Sequence, residues 1–432
     1  MCMVSKERLG QGDGETQFEP PWDKRFFLNR WRWLVTLTTQ HLLDSCAESG
    51  TDAGISMFAS LEPLAGPHAP VKPAIYAGRK YQIEKRWWHG SSDGGAVATV
   101  VIDNVPSQAN RIEAALETIA PELGLPTVVL DFSGVDGLPP HLPRQLSGFR
   151  FPHRQADAYL RDATLDGLAF AKTETGSSLL EATADRADAL LGLFPQALLF
   201  GFWQSHLGKK RSQAKLARSW VSEIVGYDPA DTDTVQLGLK GDPLNLSIDE
   251  SVSWDPDDVL GVGWEVGDAK KAGGRKNKDS LAELGHGQVP VSESEAARTA
   301  VSFRGIEQQS TVSFAGLRRI RTSTPTADAA ARAILVSLGL VGHVAAFGRA
   351  FSLRSGCDLR PRSTTWVYRG ALADEEIEPL DLEAATALFR GCVAVGEEAG
   401  LPVGARWPSE PLVLAPNASL QKAIALSYPL SD

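Results

Sequence analysis

Residues 201–226 limit most strongly what this chain can fold into, because two residue patterns overlap there. Five cations lie within ten residues, and no acid occurs before Glu223. The apolar residues of the same stretch recur at a spacing that fits a helix with one buried face. We therefore predict an amphipathic helix with a basic flank, which suits an anion-binding surface or an ordinary solvated Lys-rich face. The cations are Lys209, Lys210, Arg211, Lys215 and Arg218, and the apolar positions are Leu216, Trp220, Val221, Ile224 and Val225.

The acidity of the chain is confined to one segment. Residues 228–268 contain eleven acids and one base, Lys240, so their formal charge equals the −10 of the entire 432-residue chain. Residues 270–278 follow with five cations and a Gly-Gly pair, which predicts a turn at a basic tip. The net negative charge therefore does not exclude an anionic partner.

Composition indicates a soluble globular protein with a substantial core, since 43% of the residues are hydrophobic and 22% are charged. The four cysteines form no CxxC pair, which favours reduced, cytosolic thiols over disulfides or a zinc site. The apolar run over 189–203 is interrupted by Pro195 and Gln196 and is too short to span a bilayer. We expect a cytoplasmic protein that has no membrane partner.

Hydrophobic periodicity predicts alternating strands and helices, which favours an α+β domain. That domain is expected over 31–432, after an N-terminal extension over 1–30, with insertions at about 52–95 and 228–300. Residues 52–95 are expected to be irregular because they are rich in Gly, Pro and His. Predicted strands cover 31–39, 97–102, 127–132, 197–203, 310–321 and 364–368, and predicted helices cover 107–119, 154–162, 174–194, 327–347 and 381–398. The helix over 107–119 is expected to have Ser107 as N-cap and a buried face of Ala109, Ile112, Leu116 and Ile119.

Catalytic motifs are mostly absent. Residues 201–210 resemble a phosphate loop only superficially, because six residues separate the glycines and Lys210 stands where a Ser or Thr would hold magnesium. The acids at 255–258 lack the alternating spacing of a calcium loop. Only His153 and His286 have suggestive neighbours, and a single His is more often a structural residue than a general base. We expect no metal, no cofactor and no enzymatic activity.

Seven segments in order resemble one family, the RAMP-superfamily backbone subunit of type I-G (formerly I-U) CRISPR Cascade complexes, the Cas-seven group. The segments are SQANRIEAAL (107–116), FPHRQADAYLRD (151–162), FGFWQS (200–205), AKLARSWVSEIVG (214–226), ELGHGQVP (283–290), SFAGLRRIR (313–321) and LRSGCDL (353–359). The chain departs from the family at the DPL segment (242–244), which follows an acidic stretch here and an Arg-rich stretch in relatives.

The resemblance implies an RRM-like (ferredoxin-like) palm with inserted finger and thumb elements. It implies a non-enzymatic subunit that polymerises along a CRISPR guide RNA. The partners would be the guide RNA, target DNA through the guide, further copies of the chain and other Cascade subunits.

A subunit that coats a guide of arbitrary sequence must hold backbone and ribose while leaving base edges free to pair. Lys and Arg suit the phosphates, and Ser, Gln and Asn suit sugar and phosphate oxygens at a helix start. Each cation has an ordinary alternative as one half of a surface ion pair. The residues predicted to contact RNA are Ser107, Gln108, Asn110, Arg111, His153, Arg154, Arg161, Lys209, Lys210, Arg211, Lys215, Arg218, Lys278, His286, Arg319 and Arg321.

Two further expectations concern the arginines at 318–321 and two tryptophans. If residues 318–321 form a strand, Arg319 and Arg321 share one face and Arg318 lies on the other, so only one set can face RNA. Trp203 and Trp220 could stack on bases, but their apolar settings favour core packing.

Two other functions stay open at this point. The first is a RAMP-type endoribonuclease that processes precursor CRISPR RNA, with His153 or His286 as acid or base; cleavage of target RNA directed by an aspartate is a smaller possibility. The second is a protein-only scaffold, in which the basic stretch binds the acidic 228–268 segment of an adjacent copy.

Overall fold

The computed structural model describes residues 34–76, 80–88, 94–136, 138–204, 215–230 and 300–428, with short stretches between 235 and 298. It shows a mixed α+β protein. Its helices are α1 Thr39–Cys46, α2 Val105–Leu123, α3 Ala158–Arg161, α4 Glu174–Glu181, α5 Asp188–Leu193, α6 Pro195–Phe200, α7 Phe314–Leu317, α8 Pro325–Phe347, α9 Leu382–Glu398 and α10 Ala418–Ser427.

The strands are numbered in chain order, and most of those between β10 and β18 are very short. They are β1 Gly54–Pro63, β2 Ile83–Trp87, β3 Ala96–Asp103, β4 Val128–Asp131, β5 Gln145–Ser147, β6 Ala163–Leu165, β7 Leu168–Ala169, β8 Phe202–Trp203, β9 Lys215–Leu216, β10 Trp220–Pro229, β11 Val235–Gln236, β12 Leu239–Lys240, β13 Val252–Trp254, β14 Glu265–Val266, β15 Lys276–Lys278, β16 Val289–Pro290, β17 Ala297–Arg298, β18 Phe303–Ser313, β19 Phe351–Arg354, β20 Cys357–Arg369, β21 Asp374–Ile377 and β22 Leu412–Pro416.

An antiparallel sheet organises the described residues, in the order β19-β20-β1-β18-β10-β3-β2, with β21 added to β20. Successive side chains of a strand point to opposite faces, and the long helices cover one face only. On that face Met57 of β1 and Trp220 of β10 share a core with Ile112 of α2 and Ile334 of α8. A smaller sheet, in the order β5-β4-β22-β6-β7, lies apart from this one.

The large sheet curls until strands from its opposite sides meet at Asp103, the last residue of β3. The Asp103 side chain is fully buried, and it accepts hydrogen bonds from Ser107 Oγ (2.9 Å), Gln108 Nε2 (2.5 Å) and Arg111 Nε (2.9 Å) of α2. Arg354 Nη2 of β19 donates to the same carboxylate at 2.9 Å. We call these five residues the Asp103 cluster, and it joins β3, the first turns of α2 and β19.

Helix α8 is the centre of the main core. Thr324 caps it through a hydrogen bond to the Ala327 backbone N–H, and Pro325 occupies its first turn. The helix is long and apolar enough to cross a membrane, but 83% of its most apolar window is buried inside the protein. It therefore has the surroundings of a core helix in a soluble protein.

Several sequence predictions are confirmed. The strands predicted over 97–102 and 127–132 are β3 and β4, and α8 and α9 occupy their predicted positions. On α2, Ala109, Ile112 and Leu116 are buried as the periodicity indicated. The N-cap of α2 is Asn104 and not Ser107, because the helix begins at Val105 and Asn104 accepts from the Ser107 backbone N–H. The helices predicted over 154–162 and 174–194 exist as shorter pieces.

The amphipathic helix predicted for 201–226 is wrong, because the described part of that stretch is extended. Strand β10 buries Trp220, Ser222 and Ile224 and alternates them with the less buried Val221 and Glu223. Its β-branched residues fit a strand better than a helix. The strand predicted over 197–203 is also wrong: Pro195 starts helix α6, and only Phe202–Trp203 is extended.

Three other predictions fail near the sheet. Residues 52–95 are irregular only in part, since they contain β2 and also β1, which lies between β18 and β20. The strand predicted over 310–321 ends at Ser313, whose side chain caps α7, so the face assignment for Arg318, Arg319 and Arg321 does not apply. Within 31–39, Val35 forms an isolated bridge and Thr39 already starts α1. The predicted extension over 1–30 lies outside the described residues.

We predict that Asp103→Asn destabilises the protein by about 3–5 kcal/mol, because it leaves two arginines facing each other without their shared buried anion. Asp358→Asn, at an exposed position of β20, is the matched control and should change the free energy of unfolding by less than about 0.5 kcal/mol. Chemical denaturation of both variants measures the difference, and equal effects would contradict the structural role of the Asp103 cluster.

Stability should also fall in mild acid because of His343. Burial lowers the pKa of this side chain from 6.5 to about 4, among the rings of Trp220, Phe347 and Trp366. The unfolded chain therefore binds a proton below pH 6.5 that the folded chain takes up only near pH 4, so stability is lost as the pH falls.

The expected contribution of His343 is a loss of about 2 kcal/mol between pH 7.5 and pH 5. His343→Phe should remove that part of the pH dependence, whereas His141→Asn, at an exposed site, should keep it. Urea titrations at the two pH values give the comparison. An unchanged pH dependence in His343→Phe would show that other groups cause the acid sensitivity.

Candidate nucleic-acid interface

A short hairpin presents an aromatic ring and a cation side by side at the surface. Strands β8 and β9 pair with Phe202 opposite Leu216 and Trp203 opposite Lys215. Phe202 and Leu216 are buried in the core and anchor the hairpin. Trp203 is 52% exposed, and Lys215 Nζ lies 5.9 Å from the centroid of its ring. Alternation along the two strands therefore places Trp203 and Lys215 together on the outer face.

Two arginines from distant parts of the sequence extend this surface. Arg319 follows α7, and its Nη2 donates to the carbonyl of Ala217 at 3.2 Å while its Nε donates to Gly316 O at 3.0 Å. Arg218, next to Ala217, is also exposed. Partial burial and the positive charge of Arg154 lower the pKa of Arg218.

We call Trp203, Lys215, Arg218 and Arg319 the basic patch. In the part of the chain that the structure describes, neither Lys215 nor the two arginines form an ion pair. Arg319 bonds only to carbonyl oxygens, and Lys215 contacts the Trp203 ring. Cations that lack a protein anion remain available to an anionic ligand, and the indole beside them offers a flat apolar surface.

A buried ion pair supports the patch from behind. Arg154 donates to both carboxylate oxygens of Glu113 at 2.7 Å, and its Nη1 donates to Gly201 O at 2.8 Å. The guanidinium also lies 5.5 Å from the Phe200 ring centroid. Burial raises the pKa of Glu113 and the charge of Arg154 opposes that rise. The pair fixes Gly201, from which β8 begins.

Most of the residues predicted at the start of α2 serve the fold. Ser107, Gln108 and Arg111 all donate to Asp103, and Gln108 Oε1 also accepts from Ser222 Oγ and Gln308 Nε2. Asn110 is exposed. Arg111 retains partial exposure, 29% of its side chain. An RNA contact by these residues stays a prediction, and their hydrogen bonds give them a structural role that the sequence did not indicate.

The remaining predicted residues are dispersed. Arg161 pairs with the adjacent Asp162, which raises the pKa of Arg161. Arg321 pairs with Glu48 and Asp328 and so does not share the patch with Arg319. His153 is exposed, and its backbone N–H donates to Asp157.

The side chains of four predicted cations lie outside what the structure describes. Residues 205–214, between β8 and β9, include Lys209, Lys210 and Arg211. Lys278 belongs to β15, but its side chain is outside the described part. His286 is exposed, with its ring 5.7 Å from that of Trp264.

Sequence reasoning missed three residues of these sites. The apolar neighbours of Trp203 in the sequence favour core packing, but its side chain is 52% exposed. The prediction that Trp220 is a core residue is confirmed, since it is 1% exposed. Asp103 and Arg354 were not singled out, although they unite the motifs at 107–116 and 353–359. The sequence does contain a signal for Asp103, because this acid ends an apolar strand directly before a helix.

The described residues hold no group of three or more His, Cys, Asp or Glu side chains that could bind a metal ion. The arrangement that they do present is an exposed indole beside unpaired cations. Chemically, it can hold phosphates through charge and one base through stacking, which are the contacts that sequence-tolerant nucleic-acid-binding proteins use.

Comparison with known proteins gives a match to a protein family. Residues 55–230 match the family model described as CRISPR-associated protein GSU0053. The match supports a CRISPR-associated protein. It covers β1 to β10 and therefore includes Trp203, Lys215 and Arg218, while Arg319 and Arg354 lie beyond it. No curated protein matches the chain.

The geometry around Gly201 gives a direct test of how the patch is held. Gly201 has φ +77°, and a Cβ there would lie 2.6 Å from the backbone oxygen of Leu216 and 2.7 Å from the backbone nitrogen of Arg218. Gly124 has φ +65° with no atom within 4 Å of its Cβ position. Gly124→Ala should therefore cost only backbone strain, about 1 kcal/mol, and Gly201→Ala at least about 2 kcal/mol more. Equal losses in chemical denaturation would contradict the close packing of Gly201 against the backbone of Leu216 and Arg218.

Proposed function

We propose that this protein is the guide-RNA-binding backbone subunit of a type I-G CRISPR Cascade complex, and that the basic patch holds the RNA. The observation that carries the proposal is the convergence of Trp203, Lys215, Arg218 and Arg319 on one surface, where no acid among the described residues pairs with the three cations. The match to a CRISPR-associated family supplies the biological context, because the effector complexes of such systems are built around a guide RNA.

The strand order supports an RRM-like palm as part of the proposal. Strands β1, β10, β18 and β20 lie in the order β20-β1-β18-β10, all antiparallel to their neighbours. Helix α2 precedes β10, and helix α8 lies between β18 and β20. A ferredoxin-like βαββαβ unit has this order of elements, with the added strands β2 and β3 inserted after β1. The proposed finger and thumb insertions extend from this unit.

The patch suits a guide of arbitrary sequence. Lys215, Arg218 and Arg319 would contact phosphates, which carry no sequence information, while Trp203 would stack on a base regardless of its identity. The base edges would then stay free to pair with target DNA. Head-to-tail repetition of such a subunit along the RNA would give an open helical filament, completed by other Cascade subunits. The role needs no hydrolysis, and we propose that the protein is not an enzyme.

A charge-neutralising variant tests the proposal. Lys215→Gln, Arg218→Gln and Arg319→Gln together should weaken single-stranded RNA binding and lower the slope of log K against log salt concentration by about 2, since each lost phosphate contact contributes about 0.7. The matched control neutralises three exposed cations on other elements, Arg349→Gln, Arg390→Gln and Lys422→Gln. Fluorescence anisotropy at several salt concentrations measures both variants.

Trp203→Ala separates stacking from charge. It should cost about 1–3 kcal/mol of binding free energy and leave the salt slope unchanged. Unaltered binding in the triple variant would overturn the proposed interface. Shortening of a precursor RNA by the wild type, abolished by His153→Ala, would favour the endoribonuclease instead. Assembly without RNA would favour the protein-only scaffold.

A further inference from the structure

A small cavity lies between α3, α4 and two glutamines that adjoin the basic patch in sequence. Its volume is about 110 Å³. The glutamines are Gln155, which directly follows Arg154, and Gln204, which directly follows Trp203 of the basic patch. We call this space the glutamine cavity. Its apolar walls include Leu160, Phe170 and Leu179.

The amide groups of both glutamines lack a partner among the described residues. Gln155 is only 8% exposed, and its Oε1 is buried without a hydrogen bond. Gln204 is 6% exposed, and its side chain forms no hydrogen bond within the described part of the chain. Burial of a carboxamide without its hydrogen bonds costs free energy, so two such side chains at one cavity indicate a binding site for a polar ligand.

The charged residues of the glutamine cavity are already engaged. Asp157 is buried, and its two carboxylate oxygens accept from the backbone N–H groups of Tyr159 (3.0 Å) and His153 (2.9 Å). Arg161 pairs with the adjacent Asp162. The groups that remain for a ligand are therefore the neutral carboxamides, which favours an uncharged molecule over an ion.

The wall made by α4 is fixed before any ligand binds. Thr173 caps α4 by accepting from the Gly176 backbone N–H at 3.1 Å, and its hydroxyl donates to the carbonyl of Phe170 at 2.7 Å. A Cβ at Gly176 would collide with that same carbonyl oxygen, so the approach requires glycine. A site whose walls are held in this way loses little entropy when a ligand binds.

Size and chemistry together define the ligand. A cavity of about 150 Å³ with apolar walls holds one benzene ring, so this smaller one admits a single six-membered ring but not two fused rings. Each carboxamide has both donors and acceptors, and a half-turn about its last torsion exchanges them. A pyrimidine base is a flat, neutral ring of this size that carries donors and acceptors along one edge.

We propose that the glutamine cavity binds one pyrimidine base, with Gln155 and Gln204 hydrogen-bonded to its polar edge and Phe170 and Leu179 against the ring. The base belongs either to RNA that lies on the basic patch or to a free pyrimidine nucleoside, and both sources offer the cavity the same chemistry. For a base within RNA, this inference rests on the proposed function. It adds a preference at one position to a surface that itself reads no sequence.

Fluorescence anisotropy with labelled oligouridylate and oligoadenylate of equal length tests the RNA source. Gln155→Met with Gln204→Met should lower the ratio of uridylate to adenylate affinity about tenfold, which is the effect of one or two lost hydrogen bonds. Gln196→Met is the matched control, since Gln196 is also buried with an unpartnered Oε1 but lies on α6 outside the cavity. Comparing ratios removes the intrinsic difference in stacking between the two oligonucleotides.

Saturation-transfer NMR with free uridine and free adenosine tests the other source. A uridine signal that the double variant loses and Gln196→Met keeps, with no change in the oligonucleotide ratio, would assign the cavity to a free nucleoside. Because each Met has nearly the volume of Gln and replaces a side chain without a partner, the midpoint of chemical denaturation should not fall. If it falls in the double variant, Gln204→Met alone takes its place.

An oligonucleotide ratio and a uridine signal that are the same in wild type and double variant would overturn the proposal, as would equal losses in Gln196→Met. The proposed RNA interface fails by a different result, namely wild-type RNA affinity in the triple variant of Lys215, Arg218 and Arg319. The two failures are therefore distinguishable.

Discussion

One buried carboxylate determines the shape of this protein. Asp103 ends β3 inside the protein, and two of its four donors are arginines from separate elements, Arg111 of α2 and Arg354 of β19. A charge in such a place is stable only when its hydrogen bonds are satisfied, so the sheet must curl far enough to bring β19 to β3. The curl encloses a second core, in which Ile102 and Leu353 pack together.

A second buried pair connects this frame to the surface. Glu113 lies about one and two-thirds turns of α2 beyond Ser107, the first helical residue of the Asp103 cluster. It holds Arg154, which in turn holds Gly201. The hairpin of β8 and β9 starts there and carries Trp203 and Lys215 outwards. The two buried carboxylates thus have related roles: the first closes the sheet, and the second positions the basic patch. An exposed arrangement of cations is thus held in place by buried charges.

The parts of the fold that sequence predicted are those determined locally. The buried face of α2, the length of α8 and the end of α9 at Glu398 follow from periodicity and capping, which depend on neighbours within one or two turns. Strand β10 was mistaken for a helix because Leu216, Trp220 and Ile224 satisfy a spacing of four as well as a spacing of two. For a short apolar run, only pairing with neighbouring strands decides whether it forms a helix or a strand.

The sequence predicted the kind of candidate site, but not which residues form it. Clustered cations indicated an anion-binding surface, and Lys215, Arg218 and Arg319 do come together in the basic patch. No local rule shows that Arg154 faces Glu113 or that Arg319 reaches Ala217, since these contacts join positions 41 and 102 residues apart. A buried arginine and an exposed one look alike in a sequence. What distinguishes them is the anion that the fold brings to one of them.

The most direct measurement is ultraviolet cross-linking of the protein to its co-expressed CRISPR RNA, with mass-spectrometric identification of the attached peptides. The proposed RNA interface predicts cross-links at Trp203 and in the peptides that contain Lys215, Arg218 and Arg319, because a stacked indole and neighbouring cations would lie within bonding distance of bases. Cross-links confined to the uncovered face of the sheet, around Phe58 and Glu307, would contradict it, as would a purified protein that carries no RNA when its CRISPR array is present.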